Sequence, residues 1–96
     1  MSYKIKALNI FSKQISDLDK TSKRIIYDKI QLIKQNPYRF KRVHSKNYSK
    51  VFRVRLNIKQ KETRLIYTII EPSIILVCLL DRKKDYKDLE KYLKKI

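Results

Sequence analysis

The chain has 96 residues, 43% of them apolar, and 25 lysines and arginines against 9 acidic residues give it a formal net charge of +16. That length and apolar share describe one folded domain with a single small core, and a pI near 10.1 points to a polyanionic partner: nucleic acid, an anionic membrane surface or an acidic protein. With no glycine, one histidine and one cysteine, a P-loop, a dinucleotide-binding turn, a KH-type glycine loop and a His/Cys zinc site are all excluded, so no cofactor is expected.

The N-terminus alternates, with Tyr3, Ile5 and Ala7 on one face and Lys4 and Lys6 on the other, which predicts a short half-buried strand. The interleaved lysines also give it no signal-peptide pattern. Leu8, Phe11, Ile15 and Leu18 then recur at the spacing of an amphipathic helix. Asp19-Lys20-Thr21-Ser22 interrupts that pattern, and Thr21 or Ser22 is a suitable cap for a second helix. This helix is expected from about Lys23 to Gln35, with Ile26, Ile30 and Ile33 on its core face, and Asn36-Pro37 ends it. Two short helices joined tightly should form a hairpin covering one face of a sheet.

The segment from Tyr38 to Lys50 is irregular and basic, with Tyr38, Phe40 and Tyr48 among Arg39, Lys41, Arg42, Lys46 and Lys50. Two readings stand: phosphate contact with base stacking, or a solvated loop pinned by its aromatics. His44 has no nucleophile or acid at recognisable spacing and reads as an exposed loop residue.

VFRVRLN, from Val51, places Phe52, Val54 and Leu56 toward the core and Arg53 and Arg55 away from it. Asn57 to Glu62 reads as a glycine-free hairpin loop. In ETRLIYTII, Leu65, Tyr67 and Ile69 continue the core face opposite Arg64 and Thr68, and Glu71-Pro72-Ser73 turns the chain. Ile74 to Leu80 is apolar throughout, the mark of an interior strand covered on both faces. It contains Cys78, which reads as a buried hydrophobe and is compatible with a reducing cytoplasm. No apolar run reaches the ~18 residues of a membrane span. A last helix is expected from about Asp85, with Tyr86, Leu89, Leu93 and Ile96 on one face and Asp85 and Asp88 placed to cap it. The reading is one α+β domain, residues 1–96, of order β-α-α-β-β-β-α: an antiparallel sheet with a helical hairpin on one face and a C-terminal helix.

These motifs resemble the RelE/ParE toxin superfamily. VFRVRLN is similar to its Y-K/R-I-K/R-L strand, RLIY to its Y-R-L/I-I/V-Y strand, and DRKKDY to the R-x-x-x-Y motif closing its last strand. Phe11 to Leu18 and the helix before Asn36-Pro37 match as well. The resemblance implies a cytoplasmic toxin, neutralised by an antitoxin, that cleaves mRNA in the ribosomal A site. Attack is by the ribose 2′-OH, without metal. By position, Arg53, Arg55, Arg64, Arg82 and Tyr86 match the family's functional residues, with Arg64, Arg82 and Tyr86 as the catalytic set. Lys50, Lys83, Lys84, Arg39 and Arg42 join Arg53 and Arg55 as expected RNA contacts. One departure stands out: many members carry histidine or another basic residue before the last-strand arginine, where this chain has Asp81. Arginine stays protonated and suits phosphate binding rather than proton abstraction. Tyr86 transfers a proton only if neighbouring cations lower its pKa, and it fits equally well as the first residue of an apolar helix stripe. A ParE-like DNA gyrase inhibitor and a non-catalytic RNA- or ribosome-binding domain are the alternatives on the same fold.

Overall fold

Strands β3 (Val51–Ile58) and β4 (Lys61–Ile70) build the middle of a sheet in the computed structural model, which describes residues 3–81 and 88–96. Their pairing runs from Val51↔Thr68 to Ile58↔Lys61 without a break. The apolar alternation fixes this register, because a one-residue slip would turn every buried side chain to the other face. The expected loop between them is a two-residue turn. Lys59 and Gln60 both take left-handed backbone, at φ 52° and 65°, the conformation a tight hairpin requires at both positions.

β5 (Ser73–Asp81) pairs antiparallel with β4 and is buried on both faces, as its unbroken apolar run predicts. A β-bulge lies in this pairing: Ile66 faces Cys78 but Tyr67 faces Leu76, leaving Val77 as the extra residue. β1 (Lys4–Ala7) runs parallel to β5 on its other side. The order is therefore β1-β5-β4-β3-β2, and the sheet is mixed rather than wholly antiparallel. The added element is β2 (Lys41–Val43), a three-residue strand that pairs with β3 inside the segment read as irregular.

One face of the sheet carries the helical hairpin of α1 (Asn9–Ser16) and α2 (Lys20–Gln35). Phe11, Ile26 and Ile33 are buried there against Phe52, Val54, Leu65 and Tyr67. Each such side chain contributes about 1.5–3 kcal/mol by leaving water. α2 begins three residues earlier than the apolar stripe indicated. Its cap is Asp19, whose carboxylate accepts the Ser22 N–H at 3.0 Å, so neither Thr21 nor Ser22 is the cap. Hydrogen bonding from the Ser22 side chain, and then from its backbone N–H, holds the Asp19 carboxyl below its usual pKa. At the other end, the buried Tyr67 hydroxyl donates to the Pro37 carbonyl and ties the helix terminator to β4.

The opposite face is covered in part by α3 (Leu89–Leu93), whose Leu89 and Leu93 pack on Val51, Ile66, Val77, Cys78 and Leu80. Asp88 precedes α3 but makes no capping side-chain bond. Instead Glu90 anchors the helix, accepting the Lys46 N–H and the Asn47 side-chain amide, each at 3.0 Å. Burial pushes the Cys78 thiol up to about 12, which fits an inert core residue and not a nucleophile. No helix among the described residues is long and apolar enough to cross a membrane.

Candidate nucleic-acid interface

The strand period sorts the cations onto faces. Arg53 and Arg55 share one side of β3, and the register sets Arg55 directly across from Arg64 on β4. One row along, Lys41 on β2 faces Arg53. Rows two residues apart lie about 7 Å from one another along a strand, and side chains across a ladder start about 5 Å apart. Lys41, Arg53, Arg55 and Arg64 thus form one patch on the face opposite the helical hairpin.

Like charges placed directly opposite on a ladder oppose folding. Arg55 is offset by Glu62 at 3.9 Å, but its side chain is 59% exposed, so water screens that pair to little net value. Arg64 is different: it is half-buried, with its Nε out of contact with solvent. Its neighbour on β5 is Leu80, part of the apolar cluster under α3. A guanidinium at the foot of an apolar wall acts in a lower local dielectric than one in open water, which strengthens its pull on an anion. The patch can grip successive phosphates, and Arg53 and Arg64 are its half-buried members while Lys41 and Arg55 are exposed.

Among the described residues, the other expected RNA contacts do not converge here. Arg42 faces Phe52 across the β2–β3 ladder and lies 5.6 Å over its ring, on the hairpin side of the sheet. Arg39 sits over Phe40 at 5.8 Å. Lys50 lies at the far end of the β3–β4 ladder from Arg55 and Arg64. Its ammonium donates to the Tyr38 hydroxyl at 3.3 Å, and that hydroxyl donates to Glu71 at 2.7 Å. Glu71 is therefore remote from the arginine patch. Phe40 packs edge-on to Tyr67, Tyr38 edge-on to Phe52, and Tyr48 against the α3 cluster, so the aromatics of this segment are engaged in packing. His44 is exposed just beyond β2.

Lys41 is the member of the patch that the set of expected RNA contacts did not include. The signal was the alternation of Phe40 and Arg42 with Lys41 and Val43, a strand pattern too short to stand out among so many cations. Arg82, Lys83, Lys84 and Tyr86 lie outside the described residues, as does the expected helix start at Asp85. Asp81, the last residue of β5, pairs with Thr63. Alternation puts its side chain on the face opposite Arg64, beside a groove it shares with Leu18, Lys59 and Lys61.

Solved structures similar to this chain include RelE toxins, free and in complex with antitoxins. An arginine-to-alanine double mutant of Escherichia coli toxin RelE in the free state matches 99% of this chain and 94% of its own, at a TM-score of 0.70 and 12% identity. The archaeal RelE–RelB complex from Pyrococcus horikoshii matches over 88% of this chain and 100% of that one, at 0.63 and 18%. The toxin–antitoxin complex RelBE2 from Mycobacterium tuberculosis matches over 88% and 95%, at 0.60 and 14%. No protein-family model and no curated protein matches the sequence. The chain has the RelE fold.

Proposed function

We propose that this RelE-folded chain is the toxin of a toxin–antitoxin pair and acts as a ribosome-dependent endoribonuclease on mRNA in the A site. The observation that carries the reading is the Arg55–Arg64 pair, set with Arg53 and Lys41 on one face. The fold match to RelE toxins, two of them solved with their antitoxins, supports the partner.

On this reading the ribose 2′-oxygen attacks the adjacent phosphorus, the bond to the 5′-oxygen breaks, and the products end in a 2′,3′-cyclic phosphate and a 5′-hydroxyl. Negative charge grows on the phosphoryl oxygens as the new bond forms. Arg64 stabilises that charge with Arg82, and neither abstracts a proton, because guanidinium holds its own. Arg53, Arg55 and Lys41 hold the flanking phosphates. Tyr86 is assigned the proton transfer, which requires neighbouring cations to lower its pKa. Asp81 has no part in that transfer, since its strand position turns it away from Arg64.

The test is a reconstituted translation system programmed with a defined mRNA. Cleavage at A-site codons, lost in Arg64→Ala, is the expected result. Trapped gyrase–DNA complexes without mRNA cuts would replace this reading with gyrase inhibition. Ribosome binding without cuts would reduce it to a non-catalytic binding domain.

A further inference from the structure

The face that carries the arginine pair also carries a carboxylate. Alternation along β4 puts Glu62 on the same side as Arg64, one row nearer the turn, and the register pairs it with Asn57 on β3. It lies 3.9 Å from the Nε of Arg55, and its side chain is 27% exposed against 59% for the arginine. Among the described residues no other acidic side chain lies on this face of the β3–β4 ladder. Asp81 takes the opposite face by alternation, Glu71 is bonded to Tyr38 at the far end, and Glu90 is bonded to Lys46 and Asn47.

An ion pair this exposed contributes little to folding, and its negative charge repels the phosphates that the arginines attract. The row of Glu62 and Asn57 therefore suits a part of the RNA that donates a hydrogen bond. A ribose offers such a donor beside each phosphate: the 2′-hydroxyl, on the carbon next to the one whose oxygen bears the phosphorus. A phosphate held between Arg55 and Arg64 has two neighbouring rows, each about 7 Å away along the strands. One holds the cations Lys41 and Arg53. The other holds Glu62 with Asn57, and of these two only the carboxylate can take up a proton.

Cleavage requires two proton transfers, one away from the 2′-oxygen and one onto the 5′-oxygen. The arginines keep their protons, and a tyrosine that enters as the phenol can only give one. We propose that Glu62 is the general base of this cleavage, an inference that rests on the endoribonuclease reading. The Glu62 carboxylate takes the 2′-hydroxyl proton as the bond from O2′ to phosphorus forms. The bond from phosphorus to O5′ then breaks, and the Tyr86 phenol gives its proton to the departing oxygen. Glu62 finishes protonated and Tyr86 as the phenolate, and exchange with water resets both. The charged groups that face Glu62 from β3 and β4 are Arg55 and Arg64, so the base and the phosphate clamp form one cluster.

The test uses the full chain in the reconstituted translation system. Glu62→Gln, which preserves the size of the side chain, should lower single-turnover cleavage by about 100-fold or more. It should bind ribosomes carrying a 2′-deoxy-substituted mRNA at least as tightly as the parent chain, because one negative charge leaves the patch. In this variant the proton passes to hydroxide, so between about pH 6 and 8 its log rate should gain about one per pH unit over the parent. An mRNA with sulfur in place of the 5′-oxygen at the cut linkage needs no acid, so it should restore Tyr86→Phe and leave Glu62→Gln impaired. With the parent chain cutting, four results overturn the inference and leave the function standing: undiminished cleavage by Glu62→Gln, a slower rate with the parent's pH profile, restoration of that variant by the sulfur substrate, or a loss that depends on the base beside the cut. No cleavage by the parent chain removes the function, and this base with it.

Discussion

Arg55 and Arg64 face one another across the β3–β4 ladder, two guanidinium side chains on one side of the sheet with a buried leucine next in the row. Like charges in this arrangement work against folding, and an anion held between them would offset that cost. Replacing Arg64 by alanine should lower mRNA cleavage by about 100-fold or more, the usual consequence of removing one group that stabilises developing charge. The same change should move folding stability by no more than about 0.5 kcal/mol in either direction, because cross-strand repulsion is relieved as packing is lost. Cleavage assays and urea unfolding of one preparation check both. A large loss of stability alongside the loss of activity would recast Arg64 as structural.

Salt dependence should distinguish the two faces. Each phosphate neutralised on a single strand contributes about 0.7 to the slope of log affinity against log salt. Changing Lys41, Arg53, Arg55 and Arg64 together to glutamine should reduce that slope by about 3. Changing Arg39 and Arg42, which lie over Phe40 and Phe52, should leave it nearly unaltered. Equal effects of the two sets would mean that RNA wraps both sides of the sheet.

The turn at Lys59 and Gln60 offers a stability gain away from the site. Both residues hold left-handed backbone, which costs a non-glycine residue about 1–2 kcal/mol. The double change Lys59→Asn/Gln60→Gly, the pair this turn prefers, should stabilise by about 1 kcal/mol. For a domain of this size that raises Tm by roughly 4–8 °C, measurable by calorimetry. An unchanged Tm would show that the left-handed positions are compensated by contacts of the lysine and glutamine side chains.

Glu90 links α3 to the loop after β2, and the sign of its pH dependence follows from its pKa. The hydrogen bond from the Lys46 backbone, the largest influence, holds its carboxyl below the ordinary value. Its contribution is therefore complete above about pH 4.3, where an unfolded-state glutamate is ionised, and disappears as pH falls through the lower folded value. Glu90→Gln should destabilise the chain by about 1 kcal/mol at pH 7 and by progressively less on acidification. Unfolding curves at pH 7, 4 and 3 provide the comparison. A constant difference across that range would assign the effect to shape instead of charge.

Much of the fold was legible because hydrophobic period is a local property. Phe52, Val54 and Leu56 alternate with Arg53 and Arg55, and the Ile74–Leu80 run lacks polar interruptions, so those strands and their faces were readable from neighbours in the chain. Asp19 was overlooked as the α2 cap because Thr21 and Ser22 have equal intrinsic suitability. β2 was missed because three residues carry too little pattern to outweigh a basic, aromatic context.

The sequence by itself determined the charge, the exclusion of glycine-dependent nucleotide loops, the order of the main elements and the presence of Arg53, Arg55 and Arg64 on core-opposed strand positions. Only the tertiary structure decided which cations act together. Ladder register set Arg55 against Arg64 and drew Lys41 into their patch, while it sent Arg42 to the other face and Lys50 to the far end. The physical reason is that register and strand order depend on contacts between residues distant in the chain, whereas alternation depends only on the geometry of consecutive peptide units.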